Sequence, residues 1–136
     1  MVEPVYNLML KNYQIDNIVF VINQDFVWPK ERGIEIKPTF NRKIIDHDGN
    51  SAFVNITIDI PKEENTPFSL HLSIVGFFEL KQWKKTEEGK ILMSNNASAV
   101  LFPYLRQAVT TITTLGGLPP YTLPVMNMAT LFKTKE

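Results

Sequence analysis

Cysteine is absent from this chain and histidine occurs only twice. Without thiols there can be no disulfide, closed thiolate zinc site, iron–sulfur cluster or cysteine nucleophile. Two imidazoles are too few for a multi-histidine metal centre, so no metal site is expected. An excess of charge of either sign is missing too, since Lys plus Arg number 14 and Asp plus Glu number 14. A chain with no basic field cannot bind nucleic acid by bulk phosphate neutralisation. The longest apolar run, Ile18 to Ile22, falls far short of the ~20 residues that span a bilayer, so no membrane insertion is expected. The opening Met1-Val2-Glu3-Pro4 has no basic stretch followed by an apolar segment, so no secretion signal is expected and the cytoplasm is the default compartment. Also missing are a glycine-rich phosphate loop with a following lysine, a Gly-x-Ser-x-Gly elbow and a His-Glu-x-x-His pair. No catalytic residue, and no enzyme, is expected on these grounds.

What is present is ordinary globular material. Hydrophobic residues make up 44% and charged residues 21% of 136 residues. Against a typical domain of ~150 residues, that predicts one domain over 1–136 with a core of its own. The first dozen residues show no period and read as a loose arm. From Gly33 the period is two. Ile34, Ile36, Phe40 and Ile44 alternate with Glu35, Lys37, Thr39, Asn41 and Lys43, and Pro38 marks an edge or a bend. Val54, Ile56, Ile58 and Ile60 continue the pattern, followed by Phe68, Leu70, Leu72, Ile74, Phe78 and Leu80. Such alternation predicts half-buried antiparallel strands. An earlier strand, Tyr13 to Ile22, places Ile18, Phe20 and Ile22 on the core side but also has Val19 and Val21 on the other. With Val75 and Phe77, these leave an apolar second face that suits a homo-oligomer interface.

After Trp83, the segment Lys84 to Lys90 reads as a polar hairpin tip. The period then becomes helical through Leu101, Tyr104, Leu105, Ala108, Ile112 and Leu115. Asn95 or Asn96 is the expected cap and Gly116-Gly117 the expected left-handed stop. Pro103 predicts a kink or a later start. Leu118 to Pro124 must be extended, and Asn127 caps a short terminal helix through Met128, Leu131 and Phe132. The expected fold is α+β: a four-stranded antiparallel sheet with a long helix and a short C-terminal helix on one face.

Three polar features read as structure rather than chemistry. Asp46-His47-Asp48 sits where a turn is needed, and His71 lies between serines on a polar strand face. The lysines at 81, 84, 85 and 90 are interleaved with Glu79, Glu87 and Glu88. The misplaced apolar residues are more informative. Phe26 and Trp28 lie in the crossover Asn23 to Arg32, and Tyr121, Pro124, Met126, Met128, Leu131 and Phe132 gather near the C-terminus. They suit either a lid on the sheet or an adaptable apolar groove.

Residues 98–109, Ser-Ala-Val-Leu-Phe-Pro-Tyr-Leu-Arg-Gln-Ala-Val, are followed by Gly116-Gly117-Leu118-Pro119-Pro120 and by Leu123-Pro124-Val125-Met126-Asn127-Met128-Ala129-Thr130-Leu131-Phe132. This succession resembles the SecB protein-export chaperone family, whose long helix carries a Leu-Phe-Pro-Tyr-x-Arg segment. The resemblance implies an ATP-independent holdase without cofactor, a homotetramer built as a dimer of dimers, that binds unfolded or preprotein clients. It implies client-binding positions at Phe26, Trp28, Tyr121, Leu123, Met128, Leu131 and Phe132. It also implies that Leu101, Tyr104 and Arg106 lie on the long helix, whose outer side meets the other dimer. Export members dock the translocation ATPase through an acidic sheet face, whose nearest counterparts here, Asn17, Val21, Ser69 and His71, carry no carboxylate. The chain also stops at Glu136, without the family's C-terminal extension. Both departures set this chain apart from members coupled to the export motor, and SecB-like proteins that guard one partner, such as an antitoxin, are the alternative to an export or general holdase. A small-ligand-binding or enzymatic α+β domain sharing only the fold is the remaining alternative.

Overall fold

The computed structural model describes residues 7–30 and 33–132. Four strands, β1 (Met9–Ile22), β2 (Thr39–Asp46), β3 (Ser51–Ile60) and β4 (Phe68–Glu79), form one antiparallel sheet in the order β1-β4-β3-β2. The alternation in β3 and β4 has the expected consequence. Val54, Ile56, Ile58, Leu70, Leu72, Ile74 and Phe78 point to one face and are buried.

β1 begins earlier than its pattern suggests. Residues 1–6 of the expected arm lie outside the described residues, but Met9 to Asn12 is already strand. The register against β4 slips between Leu10 and Asn12 and again between Ile15 and Asn17. Each bulge adds a residue without a partner and reverses the parity. Leu10, Tyr13, Ile15, Ile18, Phe20 and Ile22 therefore share one face although their spacing is not uniformly two. β2 begins only after Pro38, as an edge strand, and residues 33–38 belong to no strand.

The polar tip expected at Lys84 to Lys90 is not a hairpin. Trp83–Lys85 is a 3₁₀ turn, and helix α1 (Glu87–Ile91) follows at once. Thr86 caps α1 by accepting from Gly89 N at 2.9 Å, and Glu87 and Glu88 occupy the first turn, where carboxylates complement the dipole. A π-helical turn, Leu92–Asn96, leads without interruption into α2 (Ala97–Leu115). Neither Asn95 nor Asn96 therefore starts the helix, and Asn96 makes no side-chain cap bond. Pro103 lies inside α2.

Leu101, Phe102, Leu105 and Val109 turn inward and complete the core with Met93. Gly76 lets them approach. A Cβ there would stand 2.8 Å from Phe78 Cε1 and 2.9 Å from Leu101 Cδ1. The stop at Gly116-Gly117 is as expected. Gly117 has φ 85°, Leu118 N donates to Thr113 O and Gly117 N to Thr114 O, each at 3.0 Å. The extended crossover that follows ends at α3 (Met128–Leu131), whose cap Asn127 accepts from Ala129 N at 2.8 Å. Among the described residues no helix is long and apolar enough to cross a membrane.

Candidate functional site

The β1–β2 crossover is held at its root by one residue. Asn23 N donates to Pro67 O at 2.8 Å, and its side-chain amide donates to Thr66 O at 2.9 Å and Glu63 O at 3.2 Å. Its own carbonyl and carboxamide oxygens accept from Phe26 N and Asp25 N, which folds the chain back and aims Phe26 at the β3–β4 turn. Phe26 and Trp28 then meet edge to face with centroids 5.1 Å apart. Beside them lies an open concavity of about 650 Å³, lined by Phe26, Val27, Ile34, Ile60 and Thr66 among others. Val27 is 83% exposed and Trp28 48% exposed, so this crossover presents apolar surface to solvent.

The second group of expected site residues is anchored by threonines. Thr110 Oγ1 donates to Tyr121 O, and Tyr121 N donates to Thr113 Oγ1, both at 3.0 Å. Tyr121 is thereby pinned at both backbone polar groups, with its ring 6.2 Å from that of Phe68. Burial pushes its phenol above the ordinary value. Further on, Leu131 and Phe132 are half-buried, and the guanidinium of Arg42 lies over the Phe132 ring at 4.6 Å from the centroid.

Two of the expected client-binding residues are not at a surface. Leu123 is 1% exposed and Met128 is buried beside it in the core. Both fasten the crossover and α3 to the core, so contact with any other chain is denied them while this packing holds. The sequence pattern could not separate them from Tyr121 and Phe132, because an extended proline-rich segment and a one-turn helix carry no readable period. None of Tyr121, Leu123, Met128, Leu131 and Phe132 lines the concavity at Phe26. The expected site therefore divides into an exposed crossover group and a half-buried C-terminal group.

The expected oligomer-interface residues are divided as well. Leu101 is fully buried against the sheet at Gly76, which removes it from any contact between chains. Arg106 is half-buried, with Nε enclosed and without a hydrogen-bond partner among the described residues. Tyr104 is partly exposed and stacks on Tyr13 with centroids 4.4 Å apart, on the helical side. Val19 and Val21 pair with His71 and Ser69 on the opposite face. No single patch contains all of them.

That outward sheet face, where Val75 and Phe77 are expected, carries contacts that the sequence does not announce. Phe53 and Phe77 pack at 4.9 Å, and His47 sets its ring edge-on to both. Asn17, Val21, Ser69 and His71 all lie on this face, as their register shows. His71 Nδ1 is 2.6 Å from Asp59 Oδ1. Asp46 and Asp48 do turn work. Gly49 N donates to Asp46 Oδ1, and Asn50 N and Ser51 Oγ donate to Asp48 Oδ1. Lys84 Nζ at 3.0 Å, with the Gly49 N–H, holds the Asp46 carboxyl below its usual range, and Ser51 with Asn50 N does so for Asp48. Among the described residues no group of three or more His, Cys, Asp or Glu is placed to hold a metal ion. Arg42 was legible and overlooked, since it occupies the inward register between Phe40 and Ile44.

A SecB-like chaperone of Mycobacterium tuberculosis, solved in complex with an antitoxin peptide, superposes with a TM-score of 0.70 over 88% of this chain and 90% of its own, at 18% identity. An uncharacterized protein of Methanocaldococcus jannaschii is 27% identical over 138 residues, covering 98% of this chain and 87% of its own length. The protein-export protein SecB of Nitrosococcus oceani is 23% identical over 125 residues, covering 92% of this chain and 74% of its own. The family model described as preprotein translocase subunit SecB matches residues 19–136. With most of its length matched by that model and its fold shared with the mycobacterial structure, the chain belongs to the SecB family.

Proposed function

We propose that this protein is an ATP-independent molecular chaperone, a non-catalytic holdase acting in the cytoplasm as a single SecB-like unit per chain. It holds non-native polypeptide against the apolar surface of the β1–β2 crossover, with Tyr121, Leu131 and Phe132 as a second, separate contact group. The observation that carries this reading is the exposure of Val27 and Trp28, braced by Phe26 beside an open concavity, in a chain of this family. Such surface is costly in water unless it is used. A client side chain that becomes buried there contributes ~1.5–3 kcal/mol, so a few contacts suffice without sequence readout. Leu123 and Met128 support the surface and do not touch the client.

The test is light scattering of a chemically unfolded protein diluted into buffer without nucleotide. Near-stoichiometric amounts of this chain are expected to suppress aggregation. Trp28→Ala should weaken that protection several-fold while costing only about 0.5–1.5 kcal/mol of unfolding stability, because the side chain is half exposed and its main partner is the Phe26 ring. Phe132→Ala should also weaken it. Wild-type protection by the Trp28 variant would remove the crossover from the site.

A dedicated partner, such as an antitoxin, is favoured over export clients by one observation. None of Asn17, Val21, Ser69 and His71, the outward positions with which the resemblance associates docking of the translocation ATPase, is a carboxylate, and Asp59 on the same face is paired to His71 at 2.6 Å. Calorimetric binding to that ATPase would reverse this preference. The assembly we infer is a tetramer of four 15.6 kDa chains, with Val19 and Val21 serving one contact and Tyr104 and Arg106 another. Two opposite faces are what a dimer of dimers requires, and size-exclusion light scattering reads the mass directly.

A further inference from the structure

β2 turns Phe40, Arg42 and Ile44 toward the helices, so Arg42 occupies a register otherwise held by core residues. Its Nη1 donates to Ser94 O and Asn95 Oδ1 at 3.2 Å and to Ser98 Oγ at 3.3 Å. All three acceptors are neutral, and they crowd around one nitrogen of a five-donor group. Nε and Nη2 have no hydrogen-bond partner among the described residues. The ion pairs among those residues use Lys11, Lys37, His71, Lys84 and Lys90, and none brings a carboxylate to Arg42. Burial lowers the pKa of this guanidinium, which marks it as partly removed from water, and among the described residues it has no counter-ion. The Phe132 ring lies against the group at 4.6 Å from its centroid. The acceptors come from the π-helical turn and the start of α2, an irregularity of the kind that collects at functional sites.

We propose that Arg42 is a carboxylate-recognition subsite: it takes the side chain of an Asp or Glu in an extended client segment whose neighbouring large apolar residue packs against Phe132. A guanidinium is a planar fork suited to a carboxylate, and its free Nε and Nη2 edge supplies two parallel donors. Neutral acceptors satisfy N–H groups but leave the charge unbalanced, whereas a client carboxylate does both. The inference rests on the holdase reading, since the client brings the acid. It adds a selective element to a surface that is otherwise apolar.

The test uses two synthetic peptides of identical aromatic and aliphatic sequence, with either Glu or Gln at the centre. Their dissociation constants are measured by fluorescence anisotropy on the full chain. The Glu peptide is expected to bind the wild type ~10-fold more tightly than the Gln peptide, a difference of about 1.4 kcal/mol. Arg42→Met should bring that ratio close to one, and Arg42→Lys should leave it in between, because a point charge lacks the fork. A ratio of one in the wild type, with the Gln peptide still bound, overturns the subsite and leaves the holdase reading intact. If neither peptide binds, both fall. A purely structural Arg42 would shift both affinities together in the variants and show no wild-type preference, which also overturns the proposal.

Discussion

Gly76 and Gly89 show how two glycines of like burial constrain the chain differently. At Gly76 the atoms in the way belong to the ends of the Phe78 and Leu101 side chains. Both are fully buried, so Gly76→Ala should cost about 1–3 kcal/mol as the core shifts to accommodate a methyl group. At Gly89 the obstruction is the backbone carbonyl of Trp83, which no side-chain rotation relieves. Helix propensity alone would favour alanine there by about 1 kcal/mol. The steric term opposes it, and we expect Gly89→Ala to be the more destabilised of the two in urea unfolding. A Gly89→Ala protein more stable than wild type would show that the Trp83–Lys85 turn yields easily. Arg42 shows what residue-level reading can recover. Its inward parity between Phe40 and Ile44 is plain in the sequence, but its partners, Ser94, Asn95, Ser98 and Phe132, lie more than fifty positions away and no local pattern announces them.

At the level of elements, legibility followed periodicity. β3 and β4 alternate without interruption, and their inward residues are the ones expected. The start of β1 is not readable from alternation because bulges at two points break it. The helical run was placed too late because Lys84 to Lys90 is charged, although Thr86 followed by Glu87 and Glu88 is itself a start signal. Threonine is a poor helix former, yet Thr110 and Thr113 of α2 clamp the crossover at Tyr121. Thr113 is fully buried. Thr113→Val keeps its shape and leaves the Tyr121 N–H unpaired, which costs about 1–3 kcal/mol for a buried donor. The variant should unfold at lower urea and should be cut faster by protease between Gly117 and Asn127. Unchanged cleavage would mean that Leu123 and Met128 alone hold the crossover.

The scale of the whole molecule joins these readings. The fold was legible because apolar parity in the strands and the helix spacing both demand one buried layer between sheet and helix, and the long matched segment at the C-terminus agrees with it. The site was legible only in part. Leu101 belongs to the apolar stripe of the helical spacing, and only the resemblance implies an interface for that helix; the structure puts Leu101 in the core. What remains outside is an apolar crossover on a chain whose formal charge is +0. Such a molecule has no long-range field with which to steer a client. Capture should therefore depend on apolar burial, which salt does not screen. Raising ionic strength from ~0.1 M to ~1 M shortens the screening length from about 10 Å to 3 Å. Protection of an uncharged, apolar client in the scattering assay should then hold or improve, while the Glu-over-Gln preference at Arg42 should shrink toward one. A several-fold loss of protection for the uncharged client at high salt would show that charged groups, and not Phe26, Val27 and Trp28, do most of the holding.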